Sequence, residues 1–387
     1  MPGATNMQAA NQALKLWYLD GLQYQMNNAA PILSMLERDS TSVAGDKIIM
    51  ALRYGRQGGI GNRADDGLLP TPNARKTKQA SWNTKNLFAR IQITDKTMKA
   101  SRSNRGAFVS LLEADLDDAL VDAKDNVSRQ IQGDGSGIMA RCTAQTAQTT
   151  LNLSSVQYFT EGMLIDICAE DGNVKVSERE VLVVDEPGKS ITISGTGVTT
   201  LATDVVVVSG SYGLELTGLG AVFTPDNTLY GVDRKQNKWF NPTIITIGGE
   251  IDETKLQKGE DEVERKAGGK IDFYATSYGV RRAYQNLQLA TKRTTEVMKL
   301  KGGWDVLTYN GKPFTADKYA PEGILHGMDL TTWRFYEMGD YEWLDDDGAV
   351  LSRVSGKAVW EATLARYADI GCSKPRGNFK MTGIVEH

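Results

Sequence analysis

The sequence predicts an α+β chain that carries a small inserted all-β unit. Three observations lead there. One apolar stripe at helical spacing runs from 104 to 132. Short β-type runs divided by turns fill 150–216, and helix and strand patterns alternate again over 217–387. A chain of 387 residues with 41% hydrophobic content can hold two or three compact units.

Residues 8–38 read as mostly helical, with Leu14, Trp17, Leu22, Met26, Ile32, Leu33 and Leu36 near helical spacing and a break at Pro31. Such a segment is either a terminal helix on a core or an arm that reaches a neighbour. Residues 46–94 read as a long two-stranded excursion. Ile48, Met50, Leu52 and Tyr54 alternate going out, and Ala89, Ile91 and Ile93 alternate coming back. Between them lies a polar stretch rich in turn formers, including Gly58, Gly59, Gly61, Asp65, Asp66, Gly67, Pro70 and Pro72. It has too few apolar residues for a core of its own, so it is either disordered or ordered by a partner. From Arg53 to Arg105 there are twelve Lys/Arg against three Asp/Glu, in a chain whose net charge is −4.

The 104–132 stripe comprises Phe108, Leu111, Leu112, Leu116, Ala119, Leu120, Ala123, Val127 and Ile131. Ser103 or Asn104 can cap its start and Gly133 ends it. A helix of that length spans about 40 Å. Its polar face carries Glu113, Asp115, Asp117, Asp118, Asp122 and Asp125. These carboxylates either complement the basic excursion or form a solvated face. In the β unit the expected strands are Leu164–Cys168, Val181–Val184, Ile191–Ile193 and Val205–Val208, making a compact barrel or sandwich. Beyond it, a helix is expected over 252–266, a strand at Ile271–Thr276 and a helix at Tyr278–Leu289. Strands follow at Asp305–Tyr309 and Trp333–Glu337, and a turn at Asp345–Gly348.

The composition removes several classes of chemistry. Histidine occurs only as His326 and His387, so any His-based triad or metal site has to use His326, which has no partners at suitable spacing. No GxxxxGK[ST] loop occurs, and Gly58, Gly59 and Gly61 do not form GxGxxG. The Asp345–Asp347 run lacks the oxygen pattern of a calcium loop. Cys142, Cys168 and Cys372 lie far apart, as expected for core thiols in a reduced compartment. No apolar run is long enough to cross a bilayer, and the polar N-terminus is unlike a signal peptide. The expectation is therefore a non-enzyme with no catalytic residue, cofactor or metal, folded in cytoplasm. The acidic net charge argues against a general nucleic-acid binder but allows a shell around nucleic acid.

The order of elements resembles the major capsid proteins of tailed bacteriophages, the Hong Kong 97 fold. Several stretches are similar to that family: Gly133-Asp134-Gly135-Ser136-Gly137 after the long helix, and Leu216-Thr217-Gly218-Leu219 followed by Leu229–Arg234 and Trp239. Gly268–Asp272 with Tyr278–Tyr284, and Gly311–Phe314 with Asp317, are similar to later parts. The resemblance covers nearly the whole chain and rests on order and spacing, since each motif alone is weak. It implies an N-terminal arm (1–45), an extended loop (46–100) and a spine helix with part of a peripheral domain (101–149). The inserted β domain (150–216) follows, then an axial domain with the rest of the peripheral domain (217–387).

The implied function is a shell subunit that self-assembles as pentamers and hexamers around double-stranded DNA, without sequence-specific binding or membrane contact. The expected location is the virion capsid, assembled in the host bacterial cytoplasm. The loop begins near Asp46, which leaves no room for the long scaffolding segment that starts some members. A separate scaffolding protein, or none, is expected, together with a portal and a decoration protein. The candidate inter-subunit contacts are Arg63, Arg75, Lys76, Lys78 and Lys85 on the basic side, with Asp115, Asp118 and Asp122 on the acidic side. No crosslink is carried over, because Lys76, Lys78 and Lys85 have no matching partner motif. Two alternatives stay open. One is an encapsulin-like cellular shell. The other is a carbohydrate-binding or carbohydrate-active protein built on the β unit, where Tyr158, Phe159 and Tyr212 give little aromatic surface for stacking.

Overall fold

The structure is a computed structural model that describes residues 31–56, 58–96, 119, 121–290, 297–299, 305–344 and 352–387. The expected arm before Pro31, the helix start with Asp115 and Asp118, and the turn at Asp345–Gly348 lie outside these residues.

The organising element is the strand Val359–Cys372, which alternates little and is buried along its second half. On one side it pairs antiparallel with Trp333–Glu337, Glu342–Trp343 and Ser352–Arg353. On the other it takes Lys85–Thr94 over ten residue pairs, Val359↔Thr94 to Ala368↔Lys85. Glu37–Asp39 adds to the Trp333 strand in parallel and completes a six-stranded sheet. The main core lies against it, with Trp333, Phe335, Leu364, Ile370, Leu219 and Val127 all buried.

The excursion differs from the expected hairpin over 46–94. Its returning strand is Thr77–Asn83, paired with Lys47–Arg53 from Arg53↔Thr77 to Lys47↔Asn83. Ala89, Ile91 and Ile93 belong to the next strand, on the six-stranded sheet. Both segments alternate at period two, so the pattern fixes strand type without fixing the partner.

A helix covers 121–132 and ends at Gly133, whose N–H bonds Gln130 O at 3.0 Å. Val127 and Ile131 are buried as the stripe requires. On this part of the helix Asp122 is exposed and Asp125 half-buried, while Lys124, Ser128, Arg129, Gln130 and Gln132 are buried too. The helix is enclosed on more than one side. Leu216-Thr217-Gly218-Leu219 passes under its C-terminus so closely that a Cβ at Gly218 would sit 2.3 Å from Ile131 O.

The β unit starts earlier than 150. Its six strands run in the order Ile138–Arg141, Val205–Val208, Leu164–Cys168, Val174–Asp185, Ser190–Ile193 and Thr150–Asn152. Cys142 bridges to Leu153, and Ser154 N donates to Arg141 O at 2.9 Å. The two edge strands therefore meet and close a small barrel around Leu151, Ile165, Ile167, Val181, Ile191 and Val206.

The last unit is a seven-stranded mixed sheet, ordered Thr243–Gly249, Phe379–Ile384, Leu325–Met328, Phe273–Thr276, Lys312–Ala316, Asp305–Tyr309 and Val297–Lys299. The helix Glu253–Ala267 starts where Asp252 accepts from Thr254 N at 3.2 Å and stops at Gly268 in the left-handed region, φ 58°. With Tyr278–Ala290 it covers one face, burying Leu256, Val263, Val280 and Tyr284 on Tyr274, Phe314 and Phe379.

The fold predicts a contrast between two kinds of leucine. Leu364 is 1% exposed in the central sheet, whereas Leu68 and Leu69 are 91% and 87% exposed. Leu364→Ala should lower the stability of the free subunit by about 2–5 kcal/mol. Leu68→Ala and Leu69→Ala should stay within about 0.5 kcal/mol of wild type. Denaturant midpoints read the difference, and equal shifts contradict the assigned core.

Candidate inter-subunit surface

The hairpin Lys47–Arg53/Thr77–Asn83 buries Ile48, Leu52 and Ala80 and is fixed at both ends by aromatic contacts. Trp82 stacks on Tyr230 with ring centroids 4.0 Å apart and meets Tyr336 edge-on at 5.6 Å. Tyr54 stacks on Trp239 at 4.9 Å, and Ser81 N donates to Tyr230 O at 2.9 Å. Such pairs contribute about 0.5–1.5 kcal/mol beyond burial. Past Arg53 the described residues have no regular structure until Thr77 and are nearly all exposed. A turn closes it from Ala64 O to Gly67 N at 2.9 Å, and Arg63 Nε donates to Leu68 O at 3.0 Å. Ile60, Leu68 and Leu69 point outward, 68%, 91% and 87% exposed.

The expected basic contacts separate into two groups. Arg63, Arg75 and Lys76 are exposed on the loop, and Lys78 is half-buried on the returning strand. Lys85 lies elsewhere, at the hairpin base, where Nζ donates to Gly213 O at 3.1 Å within the same chain. Of the acidic contacts, Asp122 is exposed on the helix; Asp115 and Asp118 are outside the described residues. Asp125, on the same helix, pairs with Lys318 and accepts from Tyr319 Oη.

Sequence reasoning missed the buried polar groups that fix this surface. Arg129 and Glu215 form a two-pronged ion pair, Nη1 to Oε2 3.1 Å, with side chains 6% and 4% exposed. Arg129 also donates to Asn126 Oδ1 at 2.8 Å, so the helix is pinned to the segment leaving the barrel. Asp369, in the central strand, accepts from Thr217 N at 2.7 Å and Ile370 N at 2.8 Å. Burial pushes its carboxyl pKa up from 3.8 to about 6. Arg366 lies over the rings of Phe335 and Tyr341, 4.8 and 5.1 Å from their centroids, and pairs with Glu337. Arg234 donates to the carbonyls of Ala221 and Val222, 2.7 Å each. The only local signal was a charged residue inside an apolar run, as in Leu214-Glu215-Leu216 and Ala368-Asp369-Ile370.

His326 and the thiols of Cys142 and Cys372 are held in their neutral forms by burial. Burial drives the His326 imidazole down to about 3, and its ring lies 4.7 Å from Phe223. Burial pushes the thiols of Cys142 and Cys372 up to about 12, far from the thiolate form. Among the described residues no group of three or more His, Cys, Asp or Glu is placed to hold a metal ion.

No protein-family model and no curated protein matches the chain. Solved structures do. The capsid asymmetric unit of cyanophage A-1(L) superposes with a TM-score of 0.58 at 12% identity, over 92% of this chain and 93% of that one. The capsid of an empty GTA particle matches at 0.48 and 10% identity, over 92% and 90%. The SrpI encapsulin of Synechococcus elongatus PCC 7942 matches at 0.47 and 9%, over 92% and 89%; these two add no weight. The cyanophage likeness shows the fold: this chain has the Hong Kong 97-type capsid fold that its element order resembled.

Asp369 gives a pH test with a definite sign. Its folded pKa lies above the unfolded value, so ionisation opposes folding. The group costs nothing below about pH 4, and stability falls as pH rises through 4 to 6. The total is about 3 kcal/mol at 1.36 kcal/mol per pKa unit. Asp369→Asn cannot ionise, so its stability relative to wild type should rise across that interval and level off above it. Urea midpoints of the free subunit from pH 4 to 7 read this, and a pH-independent difference contradicts it.

Proposed function

We propose that this chain is the major capsid protein of a tailed bacteriophage, a structural subunit that assembles as pentamers and hexamers into the shell around the genome. The observation that carries this is the match of 92% of the chain to a phage capsid subunit at TM-score 0.58. A barely packed loop at the end of a rigid hairpin supports it, because an extended chain gains about 3.3 Å per residue and can cross onto a neighbour. Its order then depends on that neighbour, which couples folding of the loop to assembly.

The partners that follow are a separate scaffolding protein, a portal and a decoration protein. The net charge of −4 limits adhesion to packaged double-stranded DNA, because like charge repels phosphate. Assembly takes place in the host cytoplasm and the product is the virion capsid. The direct test is negative-stain microscopy of the purified chain, alone and with the scaffold from the same genome. Closed shells or capsomers support the proposal; a chain that stays monomeric at high concentration in both conditions overturns it.

The loop cations supply a sharper prediction. Arg63, Arg75 and Lys76 face solvent in the isolated chain, and their proposed role is to meet acidic groups of a neighbour, Asp122 among them. Single exposed pairs contribute about 0.2–1 kcal/mol, so only the set should matter. Reversing Arg75, Lys76 and Lys78 to Glu should leave the subunit's melting temperature within a few degrees and block assembly. Raising salt should weaken wild-type assembly through the same contacts. If the triple variant assembles normally without DNA and fails only at packaging, the cations act on DNA and the inter-subunit role is lost.

A further inference from the structure

A short loop of the barrel meets the seven-stranded unit. In Val156-Gln157-Tyr158-Phe159 the outer two residues are buried in the barrel core, 7% exposed each. The inner two reach out. Gln157 Nε2 donates to Lys318 O at 2.6 Å and to Ala320 O at 3.0 Å, and Tyr158 Oη donates to Tyr319 O at 3.3 Å. Three successive carbonyls of one turn are thus taken by two barrel side chains. The turn is itself anchored: Asp317 N donates to Thr276 O at 2.9 Å, and the Asp317 carboxyl accepts from Tyr319 N at 2.9 Å.

The helix 121–132 reaches the same turn. Asp125 pairs with Lys318 and accepts from Tyr319 Oη. The barrel is in turn tied to that helix where the chain leaves it. Gly213 N donates to Ser136 O at 2.7 Å, Arg129 pairs with Glu215, and Gln130 Oε1 accepts from Leu216 N at 3.2 Å. Helix, barrel and seven-stranded unit therefore meet pairwise, like the sides of a triangle. Two bodies joined along one side can turn about that side. A third body fixed to both removes the turn. Packed units held in this way have a few discrete arrangements and no continuum between them.

We infer that the barrel is a brace: through Gln157 and Tyr158 it fixes the angle between the helix and the seven-stranded unit, and that angle sets the curvature of the assembled shell. The role rests on the shell reading above. Each subunit is one wedge of a closed shell, so an angle that varies from copy to copy gives particles of more than one size. The barrel has a core of its own, with Leu151, Ile165, Val181 and Ile191 buried inside it. Cutting the brace therefore leaves the barrel folded.

The test uses the full chain, free and in an assembly reaction followed by negative-stain microscopy. Q157A/Y158F removes the three hydrogen bonds and leaves Val156 and Phe159 in place, so its melting temperature should stay within a few degrees of wild type. In the free variant the amides of 317–320 should exchange at least tenfold faster. Wild-type shells should have one diameter, and the diameters of variant shells should spread roughly twice as widely. L182S, at an exposed position on the barrel, should keep the wild-type diameter. Unchanged exchange at 317–320, or variant shells of the single wild-type diameter, overturn the inference and leave the capsid reading intact. Equal spread from L182S, or a folded Q157A/Y158F that makes no particles, also overturns it, because the contact then acts otherwise than through the angle. If the double variant misfolds, Y158F alone is put to the same measurements, and wild-type exchange and diameter overturn the inference. If the wild-type chain forms no shell at all, the capsid reading fails first and this inference with it.

Discussion

The pairing of Lys85–Thr94 with Val359–Ala368 is the constraint on which the rest of the structure depends. It joins segments more than 250 residues apart in the chain. Loop closure over that distance is costly in entropy, but the cost grows only slowly with length. Ten registered residue pairs and the buried leucines beneath them offset it. Because the strand after the hairpin is held this way, the hairpin has a fixed foot.

Around that foot the molecule spends buried charge on geometry. Arg129 with Glu215 and Asp369 with Thr217 tie the helix, the barrel exit and the central sheet together, and Arg366 with Glu337 joins two strands of that sheet. Buried pairs seldom add net stability over apolar residues of the same shape, but losing one partner costs about 3–5 kcal/mol. Their value here is directional. Each accepts or donates along one line, so the helix and barrel are set at one angle to the sheet. At the other end Tyr158 Oη and Gln157 Nε2 donate to carbonyls of Tyr319 and Ala320, at 3.3 and 3.0 Å, and link barrel to seven-stranded unit.

Much of this was legible in the sequence because it depends on local pattern. The strands Leu164–Cys168 and Val205–Val208, and the helix Glu253–Ala267 between Asp252 and Gly268, follow from periodicity and capping. What was not legible is who pairs with whom. Ala89, Ile91 and Ile93 alternate as a returning hairpin strand should, yet they pair with Val359–Cys372, because period two reports a face and not a partner. The long strand Val359–Cys372 itself was not expected, since burial on both faces erased its alternation. Of the candidate contacts, the loop cations Arg63, Arg75 and Lys76 are exposed, whereas Lys85 meets a carbonyl of its own chain. Charge alone could not separate them; the carbonyl of Gly213 that Lys85 meets is 128 positions away.

The central claim is a rigid foot carrying a loop that only a neighbour can order, and amide hydrogen exchange tests it most directly. In the free subunit, residues 85–94 should exchange as slowly as the central sheet, through global unfolding, while residues 55–76 exchange in seconds. In assembled particles the 55–76 amides should slow by at least a hundredfold with 85–94 unchanged. Equal protection of 55–76 in both states, or fast exchange of 85–94 in the free subunit, contradicts the account.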